Sequence, residues 1–171
     1  PMLDEISANN ADAMIKIAAL EFSSGCKWMY NDPKLASDFI WQDLSESGLT
    51  DMGLACEELN SKLSRKSFMQ SDTGAFAPVI ILLSDGEPTD DYKKGIEKLR
   101  ENKWFLSAIK IAIAIGNDAN TEVLKEFTGS IESVVTVHNV EALKKIIRLA
   151  SVTASTIGSQ SSTAGSKTKQ E

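Results

Sequence analysis

The residues with the most chemical potential lie together in Ser84-Asp85-Gly86-Glu87-Pro88-Thr89-Asp90-Asp91. Carboxylates this close repel one another unless a cation or solvent offsets them. Asp85 differs from the other acids because it directly follows the apolar run 79–83, which would carry it to the rim of a sheet. Gly86 then permits a tight turn. Asp90 and Asp91 read as the acidic start of a helix, where they complement the positive end of its dipole. A second loop, residues 46–53, brings Thr50 to the head of another helix. Thr50 either caps that helix, with Asp51 in its first turn, or points its hydroxyl at a cation held by Asp85. Hydroxyl and carboxylate oxygens completed by water are hard ligands, and such a set suits magnesium, Mg2+.

Other chemistry is poorly supplied. Cys26 and Cys56 lack metal-ligand spacing. Cys56 falls among apolar residues at helical spacing and reads as a core thiol, whereas Cys26 follows the turn-forming Ser24-Gly25. Two cysteines in an ordinary globular composition point to a reducing compartment, so a cytoplasmic location is expected. The single histidine, His138, has no second histidine or nearby cysteine to make a zinc site and is given a structural role. No Cys/His or Ser/His/Asp arrangement, glycine-rich phosphate loop or GxGxxG opening a helix is present, so the chain is not expected to be an enzyme.

Composition sets the outer bounds. The chain has 171 residues, 42% hydrophobic and 25% charged, which is ordinary for one globular domain. A net charge of −6 argues against a nucleic-acid partner. No apolar run exceeds five residues, against roughly twenty for a bilayer-spanning helix, so no membrane association is expected. The opening residues lack the basic-then-apolar pattern of a secretory signal.

The elements that must hold these residues follow from periodicity. Residues 1–10 resemble the tail of a helix, with Met2, Leu3 and Ile6 on one face. Residues 13–23 read as a strand, 24–25 as a turn, 27–30 as a paired strand broken by Asp32-Pro33, and 38–44 as a short strand or hairpin arm. Residues 50–63 read as a helix with Met52, Ala55, Cys56, Leu59 and Leu63 in one stripe. Residues 78–84 (PVIILLS) carry the continuous apolar pattern of a strand buried on both faces of a parallel sheet. Beyond it come a helix over 91–104, a buried strand over 106–115, a helix over 120–128 and a strand over 133–137. The last helix spans 140–151, capped by Asn139, with Val140, Leu143, Ile146, Ile147 and Ala150 inward. The β-α-β-α-β-α order predicts an α/β fold: a doubly wound, mostly parallel sheet with helices on both faces. Residues 153–171, rich in Ser, Thr and Gly, read as a flexible tail.

With the elements in place, residues 80–91 (IILLSDGEPTDD) resemble the fourth-strand signature of von Willebrand factor type A (VWA) domains. They are most similar to the bacterial tellurium-resistance proteins of the TerY type. Residues 113–120 with Val123-Leu124, residues 20–24 and Gly48-Leu49-Thr50 are similar to further strands and loops of that group, and the resemblance covers residues 1–152. It implies a Rossmann-like fold and a metal-ion-dependent adhesion site (MIDAS), built from an Asp-x-Ser-x-Ser loop, a threonine and an aspartate. By resemblance the last two are Thr50 and Asp85, holding Mg2+. The Asp-x-Ser-x-Ser loop that follows the first strand in the family is expected to be absent from the chain. The first strand that precedes it in the family is expected to be missing as well, which fits a chain opening at Pro1. In the family's strand order, 3-2-1-4-5-6, that strand is central. Its absence would leave unpaired edges able to self-associate.

The expected function is a protein-interaction module whose metal binds an Asp or Glu carboxylate of a protein partner, in a stress-response complex of the bacterial cytoplasm. Two alternatives stand beside it. One is a phosphoryl-transfer enzyme using Asp85 at a strand end. The other is a structural domain with an inactive metal site.

Overall fold

A computed structural model describes residues 15–42, 50–70, 77–149 and 152. The expectations for residues 1–14, 43–49 and 71–76 and for the tail lie outside the described residues. In chain order the elements are β1 (Lys16–Ile17), β2 (Leu20–Ser23), β3 (Gly25–Trp28), β4 (Lys34–Leu35), α1 (Met52–Lys62), β5 (Val79–Ser84), α2 (Tyr92–Arg100), α3 (Lys103–Ser107), β6 (Ile109–Ile115), α4 (Thr121–Thr128), a 3-10 turn (Ile131–Ser133) and β7 (Val134–Val137). Residues 140–149 form the last helix, α5.

The centre is a parallel sheet ordered β5-β6-β7. β5 runs in register with β6 from Val79↔Ile109 to Ser84↔Ala114, and β6 with β7 from Ala112↔Val134 to Ile115↔Val137. Side chains alternate across a strand. Leu82, Ala112 and Ala114 therefore share the face that joins a buried cluster with Met52, Cys56, Ile96, Leu99, Phe105, Leu124 and Phe127. Ile113 points the other way and is also fully buried. The two alanines on β6 leave room for the larger side chains of α1, α2 and α4. The sheet order and the helical covering agree with the doubly wound α/β fold expected from the chain.

Several local expectations are corrected. β5 is not buried on both faces, because Leu83 is 37% exposed. The strand expected over 13–23 breaks at residues 18–19. β1 pairs with β4 and β2 with β3, both antiparallel, in two separate two-stranded sheets. The return arm carries extra residues around Pro33, which has no N–H to give to a ladder. Residues 38–42 are not a strand. Asp38 closes a turn and Phe39 is buried, edge-on to Tyr30 and Trp41. The helix expected over 91–104 is two helices, with strand β6 starting only at Ile109. Asn102 makes the break. Its side-chain oxygen accepts from the Trp104 N–H, capping α3. Its amide group donates to Asn60 Oδ1 at 2.9 Å and to the Leu63 carbonyl at 3.1 Å, closing the end of α1. On α5, Val140 is exposed rather than inward, while Leu143, Ile146 and Ile147 are half-buried. Asn139 caps this helix as expected, accepting from Ala142 N at 2.8 Å.

A close helix crossing fixes the layer above the sheet. α1 and α2 meet at Gly53 and Gly95. A Cβ on Gly95 would lie 2.8 Å from both Cys56 Cβ and the Gly53 carbonyl oxygen, and one on Gly53 would lie 2.7 Å from the Asp91 carbonyl oxygen. Only glycine fits either position.

Candidate functional site at the carboxyl end of the sheet

In an open α/β sheet the carboxyl ends of the strands face the crevice where ligands bind. The loop leaving β5 is the hub of that end. Thr89 meets Thr50 in a reciprocal pair: Thr50 N donates to Thr89 Oγ1 at 3.0 Å, and Thr89 N donates to the Thr50 carbonyl at 2.9 Å. Glu87 accepts from the Asn120 side chain at 2.9 Å, tying the loop to the start of α4. Asp90 takes the N–H groups of Gly53 at 2.8 Å and Leu54 at 3.0 Å, one on each carboxylate oxygen.

Asp90 therefore caps α1, a helix 37 residues earlier in the sequence, rather than opening its own helix α2. This corrects the expectation that it serves its own helix. Asp91 stands at the N-cap position of α2 without a side-chain cap bond. Thr50 does not cap α1 either; Asp51 occupies that position, and its carboxylate accepts from Gly25 N at 2.6 Å, docking the β2–β3 turn. The clues in the sequence were Gly53, one residue into α1, and Thr89, the hydroxyl residue nearest Asp90. Neither pairing follows from local spacing.

The two residues singled out as metal ligands are brought to the same end of the molecule. Asp85 is exposed at the tip of β5, and Thr50 is half-buried and locked to the same loop. Among the described residues, nothing hydrogen-bonds to the Asp85 carboxylate or the Thr50 hydroxyl. Their neighbours Glu87, Thr89 and Asp90 are all engaged. The oxygen types fit a hard divalent cation. Two side chains do not complete its shell, and among the described residues no group of three or more His, Cys, Asp or Glu converges as a cage.

Both thiols are free and lie near this acidic end. Burial, and then the charges of Glu58, Asp51 and Asp90, pushes Cys26 up to about 11. Deeper burial, followed by the charge of Asp90, pushes Cys56 up to about 12. Lys110 belongs to the opposite end. Its ammonium donates to the carbonyls of Phe105 at 2.7 Å and Ala108 at 3.3 Å and lies over the Phe105 ring, and burial lowers its pKa. Lys110 pairs in register with Ile80. At about 3.3 Å per residue, its place on the sheet is thus on the order of 15 Å from Asp85.

A parallel α/β sheet with a threonine and an aspartate at its carboxyl end has the architecture of a Rossmann-like domain. Residues 29–149, more than two thirds of the chain, match the von Willebrand factor type A domain. The chain belongs to this family. No curated protein matches it. Among solved structures, it is similar to a von Willebrand factor type A protein from Catenulispora acidiphila, with 15% identity and a TM-score of 0.62, over 88% of this chain and 36% of that one. It is also similar to proximal thread matrix protein 1 from the mussel byssus, described with a zinc-occupied MIDAS motif, with 16% identity and a TM-score of 0.60 over 87% and 41%. The ArnB paralog VWA2 from Sulfolobus acidocaldarius is similar at 20% identity and a TM-score of 0.56, over 83% and 37%. The chain thus spans about two fifths of the length of these proteins. At such identities the likeness is one of fold.

Proposed function

We propose that the chain is a metal-dependent protein-interaction module, with Asp85 and Thr50 as its contribution to a MIDAS. The observation that carries this reading is the pair of uncommitted side chains, one from each of two loops whose other polar groups are largely spent on structure. Asp85 supplies a carboxylate and Thr50 a hydroxyl, and the Thr50–Thr89 pairing holds the two loops together. The bound ion supplies an open coordination position that an Asp or Glu carboxylate of a partner protein fills. Magnesium is the ion that these hard oxygens favour. The mussel relative's zinc-occupied motif supports a divalent ion in this family position.

Further ligands come from the Asp-x-Ser-x-Ser loop that follows the first strand of the family; the one stretch of this chain with that pattern, Asp43-Leu44-Ser45-Glu46-Ser47, directly precedes Thr50 in the sequence and lies outside the described residues. In the same reading a strand between β2 and β5 is supplied from outside the described residues. Its support is that these two strands belong to different sheets and that β5 has a described partner on one side only. Non-enzymatic action is part of the proposal, since Lys110, the lysine within the central sheet, is turned away from Asp85. The TerY-like motif around Asp85 supports a place in a bacterial, cytoplasmic stress-response complex.

Two ligands predict weak binding, in the millimolar range as an order of magnitude for so incomplete a shell. Titrating the chain with Mn2+ while recording amide NMR spectra tests this. Paramagnetic broadening is expected around Asp85, Gly86 and Thr50, and loss of it in Asp85→Ala. Broadening centred elsewhere, or unchanged in Asp85→Ala, would overturn the assignment.

A further inference from the structure

At the opposite end of the domain, the turn after α1 and the start of α3 border an open cleft of about 310 Å³ lined by Arg65, Lys103, Trp104 and Ser107. We infer that this cleft binds a small anion attached to a planar ring, the chemistry of a nucleoside monophosphate.

Three observations carry the inference. The first is charge. The molecule is acidic overall, at −6, yet among the described residues neither Arg65 nor Lys103 has a carboxylate partner, and both are exposed. Arg65 offers a planar fork of donors suited to an oxyanion, and Lys103 adds a point charge. The second is the wall. Trp104 packs against the core, is half-buried and lines the cleft, and no described residue accepts from its indole N–H. The accessible part of an indole that lines a cleft is a stacking surface for a flat ring. The third is rigidity. Asn102 ties the end of α1 to the start of α3 through Asn60, Leu63 and the Trp104 N–H. The Ser107 hydroxyl donates to the Lys103 carbonyl at 3.0 Å along α3. The cleft is separate from Asp85 and Thr50, so it rests on no assumption about metal.

The test is calorimetric titration of the chain with adenosine monophosphate, and separately with inorganic phosphate and with adenosine. The monophosphate is expected to bind at least tenfold more tightly than either fragment. Arg65→Ala and Lys103→Ala should each weaken it at least fivefold, and Lys93→Ala, on α2, should leave it unchanged. Both cleft cations are on the surface, so circular dichroism should confirm that the variants fold. No measurable heat at millimolar monophosphate would overturn the inference. So would phosphate alone binding as tightly, which marks plain counter-ion attraction, or wild-type affinity in the Arg65→Ala/Lys103→Ala double variant.

Discussion

Asp90 shows how one carboxylate can matter without touching a ligand. It satisfies two of the N–H groups that every helix start leaves without an intrahelical partner, and its charge faces the positive end of α1. Replacing an N-cap side chain by alanine costs about 0.5–2 kcal/mol. Asp90→Ala is expected at the upper part of that range in chemical denaturation, because both oxygens are in use. Asp90→Asn, which keeps one acceptor, should lose less. Equal losses would show that the negative charge, not the acceptor geometry, is what α1 requires. The cysteines make a second prediction at this scale. Both are raised in the folded state, to about 11 for Cys26 and about 12 for Cys56, above an ordinary value near 8.5. The folded chain therefore holds these protons more tightly than the unfolded chain. That contribution to stability is complete below the unfolded value and is lost as pH rises from about 9 toward 12. Denaturation midpoints should fall over that window, and the fall should be smaller in Cys56→Ala measured against its own neutral-pH midpoint. Cys56 should also resist alkylation at neutral pH in the folded chain.

Between elements, the α1–α2 crossing at Gly53 and Gly95 sets where the site's loops end up. The contact brings the start of α1 against the loop after β5, which is what lets Asp90 reach Gly53 and Thr89 reach Thr50. A methyl group at Gly95 would sit 2.8 Å from the Cys56 side chain and the Gly53 backbone, neither of which is the free end of a flexible chain. Gly95→Ala should therefore push the helices apart and cost about 1–3 kcal/mol, the range for overpacking a tight interior, despite alanine's better helix propensity. Thermal melting reads the cost directly. A stabilised Gly95→Ala variant would mean that the crossing is looser than described.

At the scale of the molecule, charge and sheet edges dominate. Asp51, Asp85, Glu87, Asp90 and Asp91 lie at the carboxyl end of the sheet, while Arg65 and Lys103 line the cleft and Lys110 lies near the start of β6 at the other. The arrangement pairs a cation-attracting end with an anion-attracting one. β5 is hydrogen-bonded on its β6 side, and among the described residues no strand lies on the other. An open strand edge templates pairing with another chain. The 171-residue chain is thus expected to self-associate, and sedimentation velocity should show species heavier than 18.6 kDa that shift with concentration. A monomer at all concentrations, melting cooperatively with no added peptide, would show that the edge is already covered.

The α/β alternation, β5 to β7, and the placing of Asp85 at a strand end were legible without a structure. Buried parallel strands are written as continuous apolar runs, and Asp85 adjoins one. The cap Asn139 was legible as well, since a cap acts on N–H groups two or three residues away. The Asp90 cap on α1, the Asn102 link between α1 and α3, the Glu87–Asn120 tie and the Gly53–Gly95 crossing were not. Each joins residues 33 to 42 positions apart. Periodicity reports which face of an element is apolar, but not which other element it meets. Asp90 looks the same in sequence whether it caps its own helix or a distant one. Helix packing brought Gly53 and Leu54 within its reach, and only the tertiary structure could settle that choice.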